Sequence, residues 1–290
     1  MDIKDFMYDG KGKFEIANQP TDNRGYNIDK KEAAQKTQNL LSKIGELQDK
    51  LYAEAKEGLI IVFQGIDASG KNSTIKHVMS GINPQGVNVS SFKQPCSEEL
   101  AHDYLWRAEK CIPRRGSIEI MDRSYYEDVL VVKVHNYQKS YNMPTRCISM
   151  DSHEFFERRY RQIRNYEEYL YENGYRIIKI FLNVSKDKQK ERFLERIDNP
   201  AKNWKFAASD LKDRALWDKY QKVFEEAIGK TSTEDCPWFV VPADKKWFAR
   251  YIVSQIILNT LEDMNPGYPQ ISPEEKAKLG EYREMLINEE

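Results

Sequence analysis

The sequence contains few of the residues that build disulfide frameworks, metal clusters and membrane spans. Its four cysteines, Cys96, Cys111, Cys147 and Cys236, include no C-x-x-C pair, so they indicate neither a disulfide framework nor a zinc site. No run approaches about 18 apolar residues, and residues 1–20 lack the apolar stretch of a secretory signal. We therefore expect a reduced, cytoplasmic protein with no membrane-spanning segment.

Net charge is nearly absent as well. The 45 Lys and Arg residues balance 46 Asp and Glu residues, and the formal net charge is -1. No general field draws nucleic acid or an anionic membrane to the chain, so we expect neither partner. Any anion site must be a local concentration of Lys and Arg. A length of 290 residues with 40% hydrophobic content is enough for the core of a self-sufficient enzyme.

Composition divides the chain into three parts. Residues 1–29 are polar and indicate an irregular N-terminal arm. Residues 30–265 carry the regular apolar patterns and predict one kinase-sized domain, which begins with a long amphipathic helix over residues 30–57. Residues 266–290 open with several prolines and predict a tail with a short charged helix.

Strand and helix patterns alternate within the central part. The predicted strands are residues 59–63, 87–92, 118–121, 177–184 and 238–241, and the predicted helices between them are residues 98–110, 126–134, 153–172, 187–197, 210–228 and 246–261. Such alternation predicts a three-layer α/β fold with a parallel sheet and helices on both faces.

A phosphate-binding loop follows the first apolar strand. Residues 65–72 read GIDASGKN and match the pattern G-x-x-x-x-G-K. In such a loop the backbone N–H groups curl around a phosphate and the lysine reaches its outer oxygens. The predicted phosphate ligands are Gly65, Ala68, Ser69, Gly70, Lys71, Asn72 and Ser73. A chance Gly-rich turn is the alternative, and the order of strand, loop and helix favours the phosphate site.

The position after Lys71 departs from the usual pattern. Asn72 stands where a Ser or Thr hydroxyl ordinarily holds Mg²⁺. Ser73 or Thr74 could take that role, and Asp67 inside the loop is a more economical ligand because its carboxylate is a hard oxygen donor. The alternative for Asp67 is a capping or turn aspartate.

A second acidic strand end lies at Asp122-Arg123. The apolar residues 118–121 deliver these two side chains to the edge where open α/β sheets bind ligands. We interpret Asp122 as a second magnesium ligand and Arg123 as a cation for the transferring phosphoryl group. An ordinary surface ion pair is the alternative.

Two basic segments complete the prediction. Lys93, Arg107, Lys110, Arg114 and Arg115 are expected to form a cluster at the sheet edge that tracks a polyanion, although each alone is more often a solvated residue. Residues 186–214 hold nine Lys and Arg against six Asp and Glu and predict a phosphate-clamping lid. Lys188, Arg192 and Arg196 would form its cationic stripe, with Phe193, Leu194 and Ile197 on an anchoring side. A surface helix laced with ion pairs is the alternative.

These residues resemble the polyphosphate kinase 2 family over roughly residues 35 to 262. The matching pieces are the loop from Gly65 to Lys71 with Thr74 and Ile75, FKxP at residues 92–95, YLWR at residues 104–107, DRSxYED at residues 122–128, RIDxPxKxWK at residues 196–205, and residues 231–242 with Asp244. The resemblance implies a P-loop kinase fold with a helical lid, and reversible, Mg²⁺-dependent transfer of the terminal phosphoryl of inorganic polyphosphate to a nucleotide, with Mn²⁺ as a substitute metal.

The resemblance also implies roles for individual residues. Asp67 and Asp122 correspond to the metal-binding and catalytic acids, and Lys71 and Arg123 to phosphate contacts. Lid contacts correspond to Arg192, Arg196 and Lys205, and further phosphate contacts to Lys93 and Arg107. The stretch YYEDVLVVKVH at residues 125–135 resembles the class III subgroup, which phosphorylates both AMP and ADP. Glu127 would then lie near the nucleotide acceptor with Asp122 and Arg123. We expect AMP, ADP and ATP as partners, and a homo-oligomer.

Two other functions fit parts of the sequence. An ATP-dependent nucleoside or nucleotide kinase of the thymidylate-kinase type also pairs a P-loop with an acidic-Arg motif and an Arg-rich lid. The basic line through Lys93, Arg107, Arg114 and Arg115 argues against it, because a compact nucleoside triphosphate does not need that line. A regulatory nucleotide-binding module would tolerate loss of the catalytic acids, and both are present here.

Overall fold

Strands and helices alternate along the chain, and the computed structural model describes residues 2–289. The strands are β1 (Met7–Tyr8), β2 (Gly58–Gln64), β3 (Val87–Ser91), β4 (Ile118–Asp122), β5 (Tyr175–Asn183) and β6 (Trp238–Pro242). The helices are α1 (Lys30–Glu54), α2 (Lys71–Val78), α3 (Ser97–Ala101), α4 (Trp106–Glu109), α5 (Val131–His135), α6 (Thr145–Ile148), α7 (Ser152–Glu172), α8 (Lys186–Asp198), α9 (Ala208–Ala215), α10 (Trp217–Thr231), α11 (Lys246–Met264) and α12 (Pro273–Ile287).

The strands form one six-stranded sheet in the order β1-β6-β5-β2-β4-β3. All neighbours are parallel except β1, which pairs antiparallel with β6. Every residue of β2 is buried, so helices cover both of its faces, as its continuous apolar run predicted. Helices α1 and α2 pack on α11, whereas α7 packs on β5 and α10. The predicted three-layer α/β fold with helices on both faces is therefore confirmed, and its parallel sheet carries one antiparallel edge strand, β1, that was not predicted.

The N-terminal arm is more ordered than its polar sequence indicated. Asp2 caps a 3₁₀-helix at Ile3–Phe6, and β1 follows it directly. Phe6, Phe14 and Ile16 are buried in the core. A strand of two residues is too short to leave a periodic pattern, so the sequence alone gave no sign of it.

Three of the predicted helices are broken in the structure. Residues 98–110 divide into α3 and α4, because the Asp103 side chain accepts a hydrogen bond from the Leu105 N–H and starts a new turn. Residues 126–134 divide into a 3₁₀-turn, Tyr125–Asp128, and α5. Residues 210–228 divide into α9 and α10 at Leu216. Beyond the kinase core, α12 is longer than the predicted short helix and is exposed along its length.

No helix among residues 2–289 combines the length and the apolar content that a membrane crossing needs.

The buried carboxyl of Glu119 in β4 generates a prediction about stability. Glu119 is 2% exposed, and its Oε1 has no hydrogen-bond partner among residues 2–289. Burial raises the pKa of Glu119 from 4.5 to about 6, against hydrogen bonds from Ser90 that lower it. The native state thus holds this proton more tightly than the unfolded state. The contribution to stability is complete below pH 4.5 and is lost as the pH rises through about 6.

Replacing the carboxyl by an amide should remove this pH dependence. We expect Glu119→Gln to raise the free energy of unfolding at pH 7 by about 1–2 kcal/mol and to flatten its slope in that window. Urea denaturation across the pH range measures both effects. Glu98→Gln, at an exposed position on α3, is the control and should change neither quantity. An unchanged slope in Glu119→Gln would show that Glu119 is not the titrating group.

Candidate active site

The phosphate loop connects the end of β2 to the start of α2 and has the backbone conformation of an anion-binding turn. Gly65, Ala68 and Gly70 have positive φ angles of 152°, 61° and 109°. A Cβ atom on Gly65 would lie 2.7 Å from Ser69 Oγ and 3.0 Å from the carbonyl oxygen of Leu182. Only glycine fits there without displacing the loop. The strand, loop and helix order predicted from the sequence is therefore present.

Lys71 lies under the loop rather than in solvent. Its side chain is buried, and Nζ donates a hydrogen bond to the carbonyl oxygen of Gly65 at 2.6 Å. Burial lowers the pKa of Lys71, and the positive charge of Arg123 lowers it further. Both effects disfavour the ammonium, so an anion in the loop would relieve them. This arrangement is suited to a lysine that binds a phosphate held in the loop.

Asp122 and Asn72 form a direct link between β4 and the loop helix. Asn72 Nδ2 donates a hydrogen bond to Asp122 Oδ2 at 2.9 Å. Asp122 is buried, and its Oδ1 has no hydrogen-bond partner within residues 2–289. A buried, free carboxylate oxygen is the kind of ligand that Mg²⁺ takes, and two such acids with phosphate oxygens and water complete a typical magnesium site. Within the same residues, no group of three or more His, Cys, Asp or Glu could hold a metal by itself.

Arg123 occupies a strained position directly after β4. Its φ angle is 65°, which is rare for a residue with a side chain. Its N–H extends the sheet ladder to the carbonyl of Phe63 at 3.0 Å, while Nη2 lies 2.5 Å from Asp67 Oδ1 and Nη1 lies 3.9 Å from Glu127 Oε2. Burial opposes the charge of Arg123, but Glu127, Asp67 and Asp122 together raise its pKa. The guanidinium therefore stays charged between the loop and the turn that carries Glu127.

Glu127 lies on the 3₁₀-turn Tyr125–Asp128, which a buried ion pair holds in place. The hydroxyls of Tyr125 and Tyr126 each donate to Glu167 Oε1 at 2.8 Å, and Lys179 Nζ donates to Glu167 Oε2 at 2.6 Å. Burial raises the pKa of Glu127, and the charges of Arg123 and Lys71 oppose that rise. The backbone of this turn is therefore fixed, and the turn holds the Glu127 carboxyl beside Arg123.

The side of α8 that contacts the phosphate loop is not the side that the amphipathic pattern predicted. Arg192 was placed on an exposed cationic stripe, but it is buried. Its Nη1 donates to the carbonyl oxygens of Ala68 and Ser69 at 2.8 and 2.7 Å, and its Nη2 donates to that of Ala243 at 2.6 Å. In this conformation Arg192 braces the loop from outside, and a direct phosphate contact stays a prediction.

The predicted anchoring side of α8 was wrong in part. Phe193 is buried as expected, but Leu194 and Ile197 are 48% and 47% exposed. Gln189 and Arg192 take their place in the interface, because the helix is held by hydrogen bonds to the loop as well as by apolar contacts. Gln189 Nε2 donates to the carbonyl of Asp67 at 2.9 Å, a contact that no sequence pattern indicated.

The remaining predicted phosphate contacts lie on segments outside the phosphate loop. Arg196 donates to the carbonyl of Lys205 at 3.1 Å, and Lys205 is exposed on the 3₁₀-turn Pro200–Lys205. Lys93 is exposed just after β3, where its carbonyl accepts a hydrogen bond from Arg107 Nη2 at 3.0 Å. Arg107 also lies over the ring of Phe92 at 4.7 Å. Their roles as ligands stay predictions.

The predicted basic line along the sheet edge was wrong for two of its five residues. Arg114 and Arg115 precede β4, so they lie at the opposite edge of the sheet from the phosphate loop. Arg114 stacks over Tyr52 at 5.1 Å, and Arg115 donates to the carbonyl of Asn173 at 2.9 Å. Neighbours in sequence separated by a strand end at opposite edges of a parallel sheet. Lys93 follows the end of β3 and contacts Arg107, and Lys110 lies over the ring of Trp106 at 4.2 Å.

A P-loop after the central strand, an Asp-Arg pair at the end of the adjacent strand and a helical lid define a P-loop phosphotransferase. The chain belongs to the polyphosphate kinase 2 (PPK2) family, whose sequence model matches residues 27–269. The resemblance seen in the sequence is therefore confirmed.

Individual relatives agree with this assignment over most of their length. The chain is 46% identical to an ADP-polyphosphate phosphotransferase of Rhodopseudomonas palustris, with 85% of each chain covered. It is 42% identical to an AMP/ADP-polyphosphate phosphotransferase of Meiothermus ruber, with 92% of this chain and 96% of that one covered. The crystal structure of polyphosphate kinase 2 from Arthrobacter aurescens superposes with a TM-score of 0.86 at 38% identity, covering 97% of both chains.

The packing around Gly65 generates a prediction about the loop. Gly65→Ala should lower phosphotransfer at least 100-fold, because the new Cβ would meet Ser69 Oγ and the Leu182 carbonyl and displace the loop N–H groups. Steady-state kinetics measure the loss, and thermal unfolding checks that the fold persists. Gly267→Ala is the matched control, because a Cβ there meets nothing within 4 Å. Near-native turnover in Gly65→Ala would show that the loop does not need this conformation.

Proposed function

We propose that this protein transfers the terminal phosphoryl group of inorganic polyphosphate to ADP and AMP, forming ATP, in a reversible, Mg²⁺-dependent reaction in which Mn²⁺ can replace Mg²⁺. The observation that supports it most directly is the register of the sheet, in which Phe63, at the end of β2, lies opposite Asp122. That register puts an acidic strand end beside a phosphate loop in a member of the PPK2 family.

The choice of acceptors rests on the relatives and on one stretch of sequence. The Rhodopseudomonas relative is named for ADP alone, and the Meiothermus relative for AMP and ADP. Residues 125–135, which resemble the class III subgroup, favour both acceptors here. In the structure this stretch forms α5 and the turn that carries Glu127, whose Oε2 lies 3.9 Å from Arg123 Nη1. The two acceptors should therefore be measured separately.

The proposed mechanism assigns one task to each charged residue. The loop N–H groups and Lys71 hold the donor phosphates, and Arg123 neutralises charge as the phosphoryl group moves. Glu127 orients Arg123 and faces the acceptor. An acceptor phosphate oxygen is already ionised, so the site needs alignment and charge compensation more than a general base. When bound at Asp122 and Asp67, Mg²⁺ would offset the charge of donor and acceptor phosphates.

In this proposal Asp67 can pair with Arg123 or bind the metal. In the structure it pairs with Arg123 at 2.5 Å. Phosphates that attract Arg123 would free the Asp67 carboxylate for the metal, so substrate binding and metal binding should assist each other.

The comparison with the family argues against ATP as the donor, whereas the basic line predicted from the sequence does not. Arg114 and Arg115 do not discriminate between the donors, because they lie at the far edge of the sheet. The relatives named above are polyphosphate phosphotransferases. A cytoplasmic location, a homo-oligomer and the lack of nucleic-acid or membrane partners stay predictions from the sequence.

A direct assay tests the donor and the acceptors. We expect the protein to form ATP from ADP, and ADP followed by ATP from AMP, when it is incubated with Mg²⁺ and long-chain polyphosphate in separate reactions. Chromatography of the nucleotides measures the products, and removal of Mg²⁺ with a chelator should stop both reactions. Turnover with ATP as donor to a nucleoside, with no product from polyphosphate, would refute the proposal.

The role of Asp122 has its own test. Asp122→Asn should reduce turnover at least 100-fold, because an amide neither ligates Mg²⁺ well nor offers a negative charge to the site. Thermal unfolding should shift little, since the amide is nearly the same size. Asp263→Asn, on the exposed end of α11, is the control and should keep full turnover. Near-native turnover in Asp122→Asn would remove the residue from the mechanism.

A further inference from the structure

Three consecutive carbonyl groups of the phosphate loop accept hydrogen bonds from side chains of α8. Gln189 Nε2 donates to the carbonyl of Asp67 at 2.9 Å. Arg192 Nη1 donates to the carbonyls of Ala68 and Ser69 at 2.8 and 2.7 Å. Because a peptide unit is planar, the direction of each carbonyl also determines the direction of the next residue's N–H. The hydrogen bond from Gln189 therefore fixes the N–H of Ala68, which the sequence predicts to be a phosphate ligand.

Ala68 is the loop residue at which this support matters most. Its φ angle is 61°, in the left-handed region that a residue with a side chain seldom adopts. Such a conformation persists only where the surrounding structure determines it. Rotation of the peptide unit between Asp67 and Ala68 would relieve the strain, and it would turn the Ala68 N–H away from its present direction. The hydrogen bond from Gln189 opposes that rotation on one side of Ala68, and the hydrogen bond from Arg192 holds the peptide unit on the other.

Arg214 on α9 determines which end of the Gln189 amide faces the loop. Gln189 is 1% exposed, and its Oε1 accepts a hydrogen bond from Arg214 Nη1 at 2.8 Å. A guanidinium group only donates, so it pairs with the amide oxygen and leaves the amide NH₂ group for the Asp67 carbonyl. Arg214 Nη1 also donates to the carbonyl of Lys186, at the start of α8, at 2.7 Å. The contact between Gln189 and the loop therefore depends on α9.

Polar contacts hold α9 in place. All eight of its residues are at least partly exposed, so its position depends on hydrogen bonds and ion pairs. Asp210 Oδ2 lies 3.5 Å from Arg196 Nη1 on α8, and Asp213 Oδ1 lies 2.9 Å from His135 Nε2 on α5. Arg214 thus projects from a helix that is tied both to α8 and to α5.

We propose that Gln189 is a positioning residue for the phosphate loop, and that Arg214 of α9 sets the orientation of its amide. Gln189 acts through the Asp67 carbonyl: it keeps the peptide unit between Asp67 and Ala68 from rotating, so that the Ala68 N–H stays available to a donor phosphate. The effect of Gln189 on turnover rests on the proposed function, whereas its effect on the loop follows from the hydrogen bonds alone.

Gln189→Glu separates positioning from packing. The carboxylate has nearly the same size and still accepts from Arg214, but it offers only acceptors to the Asp67 carbonyl. We expect kcat with polyphosphate and ADP to fall about tenfold and KM for ADP to change less than about twofold, because the donor phosphate is misaligned while the acceptor is still bound. Thermal unfolding should shift little, since Arg214 pairs with the new charge.

Hydrogen exchange reports on the loop without any turnover. In the nucleotide-free protein, we expect the backbone amides of residues 65–70 to exchange about threefold faster in Gln189→Glu than in the wild type, because the loop opens more often. Mass spectrometry of the peptide that contains these residues measures the rate. Exchange in the other strands and helices of the sheet should stay unchanged.

A second pair of variants tests the role of Arg214. Gln189→Met removes the hydrogen bond without adding a charge, and it should lower kcat and speed loop exchange as Gln189→Glu does. Arg214→Gln alone should lower kcat about threefold, and it should cause no further loss in the Gln189→Met background, because Arg214 acts through Gln189. An equal loss in both backgrounds would overturn the role assigned to Arg214.

Gln38→Glu, at an exposed position on α1, is the matched control, because it makes the same change of charge far from the loop sequence. It should leave kcat and loop exchange unchanged. Wild-type kcat and loop exchange in both Gln189 variants would overturn the proposal. A fall in kcat without faster loop exchange would also overturn it, since Gln189 would then act elsewhere. Faster exchange throughout the protein would show a merely structural role, with the same consequence.

The two readouts distinguish failure of this proposal from failure of the proposed function. If the wild type formed no ATP from polyphosphate and ADP, the proposed function would fail. Loop exchange in the Gln189 variants would still decide whether Gln189 holds the loop.

Discussion

The parallel pairing of β2 with β4 is the constraint on which the site depends. It places Phe63 opposite Asp122, so the chain leaves both strands at the same edge and at the same height. The loop begins two residues after Phe63, and Arg123 donates its N–H back to the Phe63 carbonyl. A slip of one residue would turn Asp122 to the other face of the sheet and break its contact with Asn72. The buried apolar strands therefore fix the chemistry as much as the polar residues do.

The cationic side chains of the site form hydrogen bonds and ion pairs with other groups of the protein. Lys71 donates to the Gly65 carbonyl, Arg123 pairs with Asp67, and Arg192 donates to carbonyls of the loop. Two of these three contacts use groups that an arriving phosphate and metal would compete for. Arg192 differs, because it donates at the same time to carbonyls of the loop and to the Ala243 carbonyl after β6, and so ties these two segments together. Lys71 and Arg123 are thus suited to move to the substrate, whereas Arg192 is suited to keep the loop in shape.

Sequence patterns predicted the parts of the site that are determined by the order of neighbouring segments along the chain. The loop and Asp122 were found because each follows a buried strand, and a parallel sheet collects such strand ends at one edge. Arg114 was misplaced because strand β4 separates it from that edge. Arg192 was misplaced because the rotation of α8 about its axis depends on hydrogen bonds to the loop, which lies more than 120 residues earlier.

Asn72 shows how a departure from a motif can carry information. A hydroxyl at this position would be free to ligate a metal, but the amide of Asn72 is committed to Asp122 through a 2.9 Å hydrogen bond. That bond occupies Oδ2 and leaves Oδ1 of the same carboxylate without a partner among the described residues. One oxygen is therefore held so that the other is presented in a fixed direction. In the proposed magnesium site, the loop helix therefore supplies no hydroxyl ligand through Asn72 and instead orients the carboxylate of Asp122 on the neighbouring strand.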